Sequence, residues 1–131
     1  MTLAQAFISA AIVALILVSF LHSYFGEKRL LVPLFKHRGN AVLESDLARL
    51  VLRFAWHLTS LLWVLMAMVL YAAAFQPATL LPTVLLTIGL GFLFVGLFDL
   101  IVSRGRHIGW PVLSAIGVFS LAAYAAGGAN S

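Results

Sequence analysis

The sequence predicts an all-α polytopic membrane protein, a four-transmembrane-helix antiparallel bundle with a short interfacial segment between helices 1 and 2. Three observations carry that expectation. Hydrophobic residues make up 63% of the 131 positions and charged residues only 9%, far from the roughly 25% charged residues of soluble domains. Mean hydropathy is +1.11. The chain length accommodates about four spans of roughly 20 residues with short connections, which predicts one membrane domain over residues 1–131.

The first span is placed at about 3–25. No Asp, Glu, Lys or Arg occurs before Glu27, and such a stretch crosses the hydrocarbon at about 1.5 Å per residue. Met1 to Phe7 has no basic residue, and the apolar run continues unbroken to Leu21, which predicts a retained helix in place of a cleaved signal. The span is expected to end at Gly26.

The segment Glu27–Arg53 holds nine of the twelve charged residues. Within it Leu30-Leu31-Val32-Pro33-Leu34-Phe35 is apolar but too short to span. Pro33 lacks an amide donor and disfavours helix before it, so this segment is expected to lie in the interface. Lys36-His37-Arg38-Gly39-Asn40 reads as a turn, with Asn40 as an N-cap for a helix that continues into the second span. Glu44 and Asp46 suit the positive end of a helix dipole.

From Phe54 to Phe98 there is again no Asp, Glu, Lys or Arg, with a break at Gln76-Pro77-Ala78-Thr79 and Pro82. Two spans at about 46–75 and 80–103 fit that stretch. A short basic turn, Ser103-Arg104-Gly105-Arg106-His107, leads to a fourth span at about 108–126 with Pro111 in its first turn. The tail Gly127-Gly128-Ala129-Asn130-Ser131 is expected to fray.

All eight Lys and Arg fall in the two loops on one side, six in the first and two in the second. Basic residues near span ends are retained in the cytoplasm. The expected location is therefore a bacterial-type inner membrane, with both termini on the non-cytoplasmic side and the basic loop against anionic lipid headgroups. The net charge of +4 arises from these few residues and predicts no nucleic-acid partner. The absence of cysteine excludes disulfides and thiolate chemistry.

Threading of this kind gathers polar residues at one membrane face: His22, Arg53, His57, Asp99 and His107. Helical spacing puts Arg49, Arg53, His57 and Ser60 on one face, and Ser19, His22, Ser23 and Gly26 on another. On the later helices Gly89, Gly96 and Asp99 share a face, as do His107, Ser114 and Gly117. Small and hydroxyl residues let helices approach in lipid, so these faces predict the bundle seam.

Asp99 at membrane depth calls for a partner, and Arg53, Arg104 or Arg106 are the expected ones. Two chemical readings are also open. His22, His57, Asp99 and His107 could ligate zinc or another divalent metal. Alternatively His22 and His57 could clamp a b-type haem, with Arg53 on a propionate or other anion and His107 nearby. No short metal motif joins these residues. Trp56, Trp63, Trp110, Tyr24 and Tyr124 read as interfacial belts, with a quinone or lipid pocket as the alternative.

The layout of four spans with a long cytoplasmic first loop resembles the membrane proteins of eicosanoid and glutathione metabolism, and Arg38-Gly39-Asn40-Ala41-Val42-Leu43-Glu44 is similar to their Arg, Asn and Glu loop motif. The spacing differs and the arginine and tyrosine pattern of their later helices is absent, so no activity is carried over. His22-Ser23-Tyr24-Phe25-Gly26-Glu27 and Ser103–Pro111 look motif-like without a family attached.

With no catalytic motif present, the expected function is a non-catalytic accessory or interaction component of a membrane assembly, as a homo-oligomer or with a membrane-protein partner. A ligand-binding membrane enzyme is the alternative, and a small transporter the second alternative.

Overall fold

A computed structural model describes residues 1–37 and 39–128; Arg38 of the loop motif and the expected frayed end Ala129–Ser131 lie outside the described residues. Those described are all-helical, and four helices are long and apolar enough to cross a membrane. The elements are α1 (Leu3–Phe25), a π-helical turn (Gly26–Leu31), α2 (Val32–Lys36), α3 (Ala41–Glu44), α4 (Asp46–Phe75), a 3₁₀ turn (Pro77–Thr79), α5 (Leu80–Ser103) and α6 (Gly109–Gly128).

Local chemistry sets the helix ends. Thr2 and Gln5 form a reciprocal cap at α1, the Thr2 hydroxyl accepting from Gln5 N at 3.1 Å and Gln5 Oε1 accepting from Thr2 N at 2.9 Å, which satisfies two donors that have no helical partner. Asn40 Oδ1 caps α3 through Val42 N and Leu43 N. That helix does not continue into the second span as expected: Ser45 is extended, with φ −73° and ψ 122°, and its Oγ accepts from Ala48 N to start α4 afresh. At the end of α5, Arg104 takes a left-handed conformation with φ 53° and Gly105 follows with φ 73°. The Gly105 amide reaches back to Leu100 O at 2.9 Å, a left-handed helix stop of the kind glycine favours.

The first span differs from expectation. Helix does not stop at Gly26: helical structure runs continuously from Leu3 to Lys36 and takes in Leu30–Phe35. A proline in a regular helix loses one hydrogen bond and its ring collides with the carbonyl four residues earlier. Here the turn before Pro33 is widened, with Val32 N bonding Glu27 O, and a π turn of this kind absorbs such a collision without ending the helix.

The helices lie in a row in the order α1, α4, α5, α6, each packing mainly on its neighbours in that row. Gln5 Nε2 donates to Ala74 O at 3.2 Å and Ser19 Oγ to Ser60 O at 2.8 Å, so residue numbers rise along α1 as they fall along α4. The α5–α6 contact is the tightest. A Cβ on Gly96 would lie 2.5 Å from Ser114 N, and one on Gly117 would lie 2.5 Å from Leu93 N. Gly89, Gly96, Asp99 and Gly117 are all buried there, on the helix faces that their spacing assigned to the seam.

Little else is buried. Among the described residues the buried hydrophobic side chains are Leu31, Ala67, Ala72 and Val95, whereas Phe7, Phe20, Phe94, Ile101 and Phe119 are all more than 60% exposed. Such wide exposure of large apolar groups is compatible with helices that are long and apolar enough to cross a membrane.

Candidate functional site

The polar residues singled out by spacing lie at one end of the helices, where the structure sorts them into three groups. The first joins α1 and its π turn to α4. Glu27 is the hub, with Oε1 2.9 Å from Arg53 Nη2 and Oε2 3.1 Å from Arg53 Nε. The same Oε2 lies 3.3 Å from His57 Nε2. The other ring nitrogen, His57 Nδ1, is 3.0 Å from Ser23 Oγ, and Ser23 Oγ–H donates to Ser60 Oγ at 2.9 Å. Helical spacing places Arg53, His57 and Ser60 on one face of α4 and Ser23 on a face of α1, and Glu27 joins them as a residue not expected there. Ser19, Ser23 and Glu27 recur every four residues, and that spacing is the signal that would have included it.

Proton positions in this chain are coupled. If Ser23 gives its proton to Ser60, His57 Nδ1 must be the donor towards Ser23. A neutral imidazole carries only one N–H, so Nε2 would then turn a lone pair to the Glu27 carboxylate. That arrangement suits the doubly protonated ring, which donates to both. A neutral ring instead donates from Nε2 to Glu27 and accepts from Ser23 at Nδ1. The charge of His57 and the direction of the hydroxyl chain therefore change together.

The second group is Asp99 with His107. His107 Nδ1 lies 2.6 Å from Asp99 Oδ2, and Asp99 is 2% exposed. The expectation that an arginine partners Asp99 is corrected: Arg53 pairs with Glu27, and Arg106 Nε donates to Ser103 O. The tight turn at Arg104–Gly105 folds the chain back, bringing the start of α6 over the end of α5, so a residue eight positions away reaches the carboxylate first. A Cβ on Gly109 would meet His107 Cε1 at 2.7 Å, so any larger residue there would displace the imidazole that holds Asp99. Ser103 Oγ and Ser114 Oγ, in the same interface, are buried without a hydrogen-bond partner among the described residues.

The third group holds His22. Its ring stacks on Trp56 at 4.2 Å with an interplanar angle of 6° and meets Trp63 edge-on at 5.0 Å. Trp56 Nε1 donates to His22 O at 3.0 Å. Gly26 makes this possible, because a Cβ there would stand 2.0 Å from Trp56 Nε1. Trp56 and Trp63 thus fill the α1–α4 contact.

His22, His57, Asp99 and His107 are therefore distributed over three groups. Among the described residues no set of three His, Asp or Glu stands close enough to hold a metal ion. For His57 to ligate haem iron it would have to release Ser23 or Glu27. His22 has Trp56 against its ring face, and its Nε2 is buried without a hydrogen-bond partner among the described residues.

Between α4 and α5 the packing opens into a groove of about 480 Å³. Its walls include Phe54, Leu58, Phe94 and Phe98, with the buried Val95 among its lining residues and Arg53 and His57 as its polar members. His107 touches this region through an edge-on contact with Phe54 at 5.9 Å. Comparison with known proteins gives no match to a family model, a curated protein or a solved structure, so the reading of this site rests on its own geometry.

Proposed function

We propose that the chain is a multi-pass inner-membrane protein, threaded as an antiparallel four-helix bundle, that serves as a non-catalytic component of a membrane assembly. The observation that carries this reading is the open row of helices. Packing is mainly between neighbours in the row, and large apolar side chains stay uncovered along all four spanning helices. Without a hydrophobic force between helices in lipid, association depends on close packing and interhelical hydrogen bonds. Self-association or a membrane-protein partner gives the uncovered faces such packing.

The charge pattern supports the direction of threading. Lys28, Arg29, Lys36, Arg49, Arg53, Arg104 and Arg106 flank the ends joined by Glu27–Arg53 and Asp99–His107, while the end joined by Gln5 and Ala74 has no charged side chain. The basic end faces the cytoplasm on this reading, with both termini outside. Transport is a weaker reading, because the hydrogen-bonded chain from Glu27 stops at Ser19 and Ser60.

Two measurements test the proposal. A C-terminal alkaline phosphatase fusion is expected to be active and a C-terminal green fluorescent protein fusion dark; the reverse result refutes the threading. Native mass spectrometry after gentle detergent extraction is expected to show a homo-oligomer or a co-purifying protein, and a strictly monomeric, partner-free protein refutes the assembly role.

A further inference from the structure

We propose that the groove between α4 and α5 binds a lipophilic quinone, taken laterally from the bilayer. The inference goes beyond the assembly role and rests on that reading only for the membrane surroundings. The groove's volume of about 480 Å³ falls in the range of small-molecule sites, roughly 300–1,000 Å³. It is too small for a helix about 10 Å across, but it suits a ring with the first units of an apolar tail. Phe94 and Phe98, 67% and 50% exposed, form the outer wall. A ligand dissolved in lipid therefore reaches the groove without passing through water.

Charge selects the head. Arg53 would attract a fatty-acid carboxylate or a lipid phosphate if it stood alone, but Glu27 meets it with both carboxylate oxygens. The Glu27–Arg53 pair carries no net charge, and it favours a head that accepts hydrogen bonds without bearing charge. Donors remain for such a head, because a guanidinium has five N–H groups and only Nε and Nη2 of Arg53 are engaged by Glu27. Shape selects a ring. Phe54, Phe94 and Phe98 line the groove, with Phe94 and Phe98 stacked at 6.3 Å and 23°, and aromatic side chains gain from offset or edge contacts with another flat ring. A planar carbonyl compound on an apolar tail meets both requirements, whereas a glyceride ester lacks the ring.

The test uses the full chain in lipid nanodiscs with decylubiquinone as probe, read by quenching of tryptophan fluorescence after correction for absorption. Trp56 adjoins His57 and Trp63 lies two turns further along α4, so both are placed to report. Saturable quenching is expected. Val102→Phe narrows the groove from a position 39% exposed and is expected to weaken binding at least about tenfold, or about 1.4 kcal/mol, with unfolding temperature unchanged. Arg53→Gln is expected to weaken it as well. Oleate and dioleoylglycerol at equal concentration are expected not to displace the probe. Quenching that rises linearly without saturation, or that is the same in Val102→Phe, refutes the site. Recovery of the fluorescence when oleate or dioleoylglycerol is added at equal concentration refutes the quinone assignment. Neither failure touches the membrane reading, which the fusion reporters test separately.

Discussion

Gly96 rests directly on the backbone of Ser114: a Cβ built at Gly96 would meet Ser114 Oγ at 2.3 Å and Ser114 N at 2.5 Å. Relief by side-chain rotation alone is impossible, because one of the colliding atoms belongs to the main chain. Gly96→Ala is expected to push α5 and α6 apart and to cost about 1–3 kcal/mol, the usual cost of overpacking. Gly127→Ala, where nothing lies within 4 Å, is the control. Denaturant titration in detergent, followed by tryptophan fluorescence, measures both. Equal stability of the two variants would contradict the close approach.

The Asp99–His107 pair predicts an asymmetry. Asp99 is 2% exposed, whereas the His107 side chain is 21% exposed. Removing His107 strands a carboxylate with almost no access to water; removing the charge of Asp99 leaves an imidazole that can stay neutral. Breaking a buried pair so that a charge is left behind costs about 3–5 kcal/mol. His107→Ala is therefore expected to lower the unfolding temperature more than Asp99→Asn. The opposite order, measured in one detergent at one pH, would show that the imidazole is the costlier group to strand.

Glu27 and Arg53 lie nearer to solvent, with side chains 31% and 45% exposed. Exposed ion pairs contribute roughly 0.2–1 kcal/mol, and two-point contact favours the upper part of that range. A double-mutant cycle with Glu27→Gln and Arg53→Gln is expected to give a coupling energy of about 1 kcal/mol. A coupling indistinguishable from zero would mean that the pair does not join α4 to the π turn.

Pro33 explains the widened turn and can be used to examine it. With Pro33→Ala the ring collision disappears and a regular helix becomes available over Gly26–Leu31. Closing the extra residue out of the turn rotates everything after it by about 100°, one residue's angle. The Phe35 ring, 5.2 Å from Arg53 Cζ, lies beyond the turn, so Phe35→Leu should then have different effects in the two backgrounds, smaller in Pro33→Ala if the ring has turned away from Arg53. An unchanged effect would show that Leu31 and its packing hold the turn open without help from the proline.

The π turn is also where reading from sequence failed. The charge-free stretch 54–98 with its break at Gln76–Thr79 pointed to two long helices, expected at 46–75 and 80–103, and α4 and α5 cover those residues. Proline gave a misleading signal at position 33, since treating it as a terminator ignores a turn that can widen. Helical spacing identified which faces meet, including Gly96, Asp99 and Gly117 on the tight contact. It could not identify partners. Attraction by charge alone pointed from Asp99 to arginine, but a left-handed turn at Arg104 delivers His107 instead, and such a reversal depends on backbone geometry. Glu27 was missed because it stands in a loop-like run of charges, although it continues the four-residue spacing of Ser19 and Ser23.

The zipped glycines of α5 and α6 have a consequence for how the protein assembles. A five-residue connection brings these two helices together at small entropic cost, so they form a unit that can mature early and alone. α1 and α4 form another, joined by serines and the Glu27 hub. The union of the two units comes last and is the first to loosen. Amide exchange in bilayers should accordingly be fastest on the α4 and α5 surfaces that face each other, and slowest where Gly96 meets Ser114.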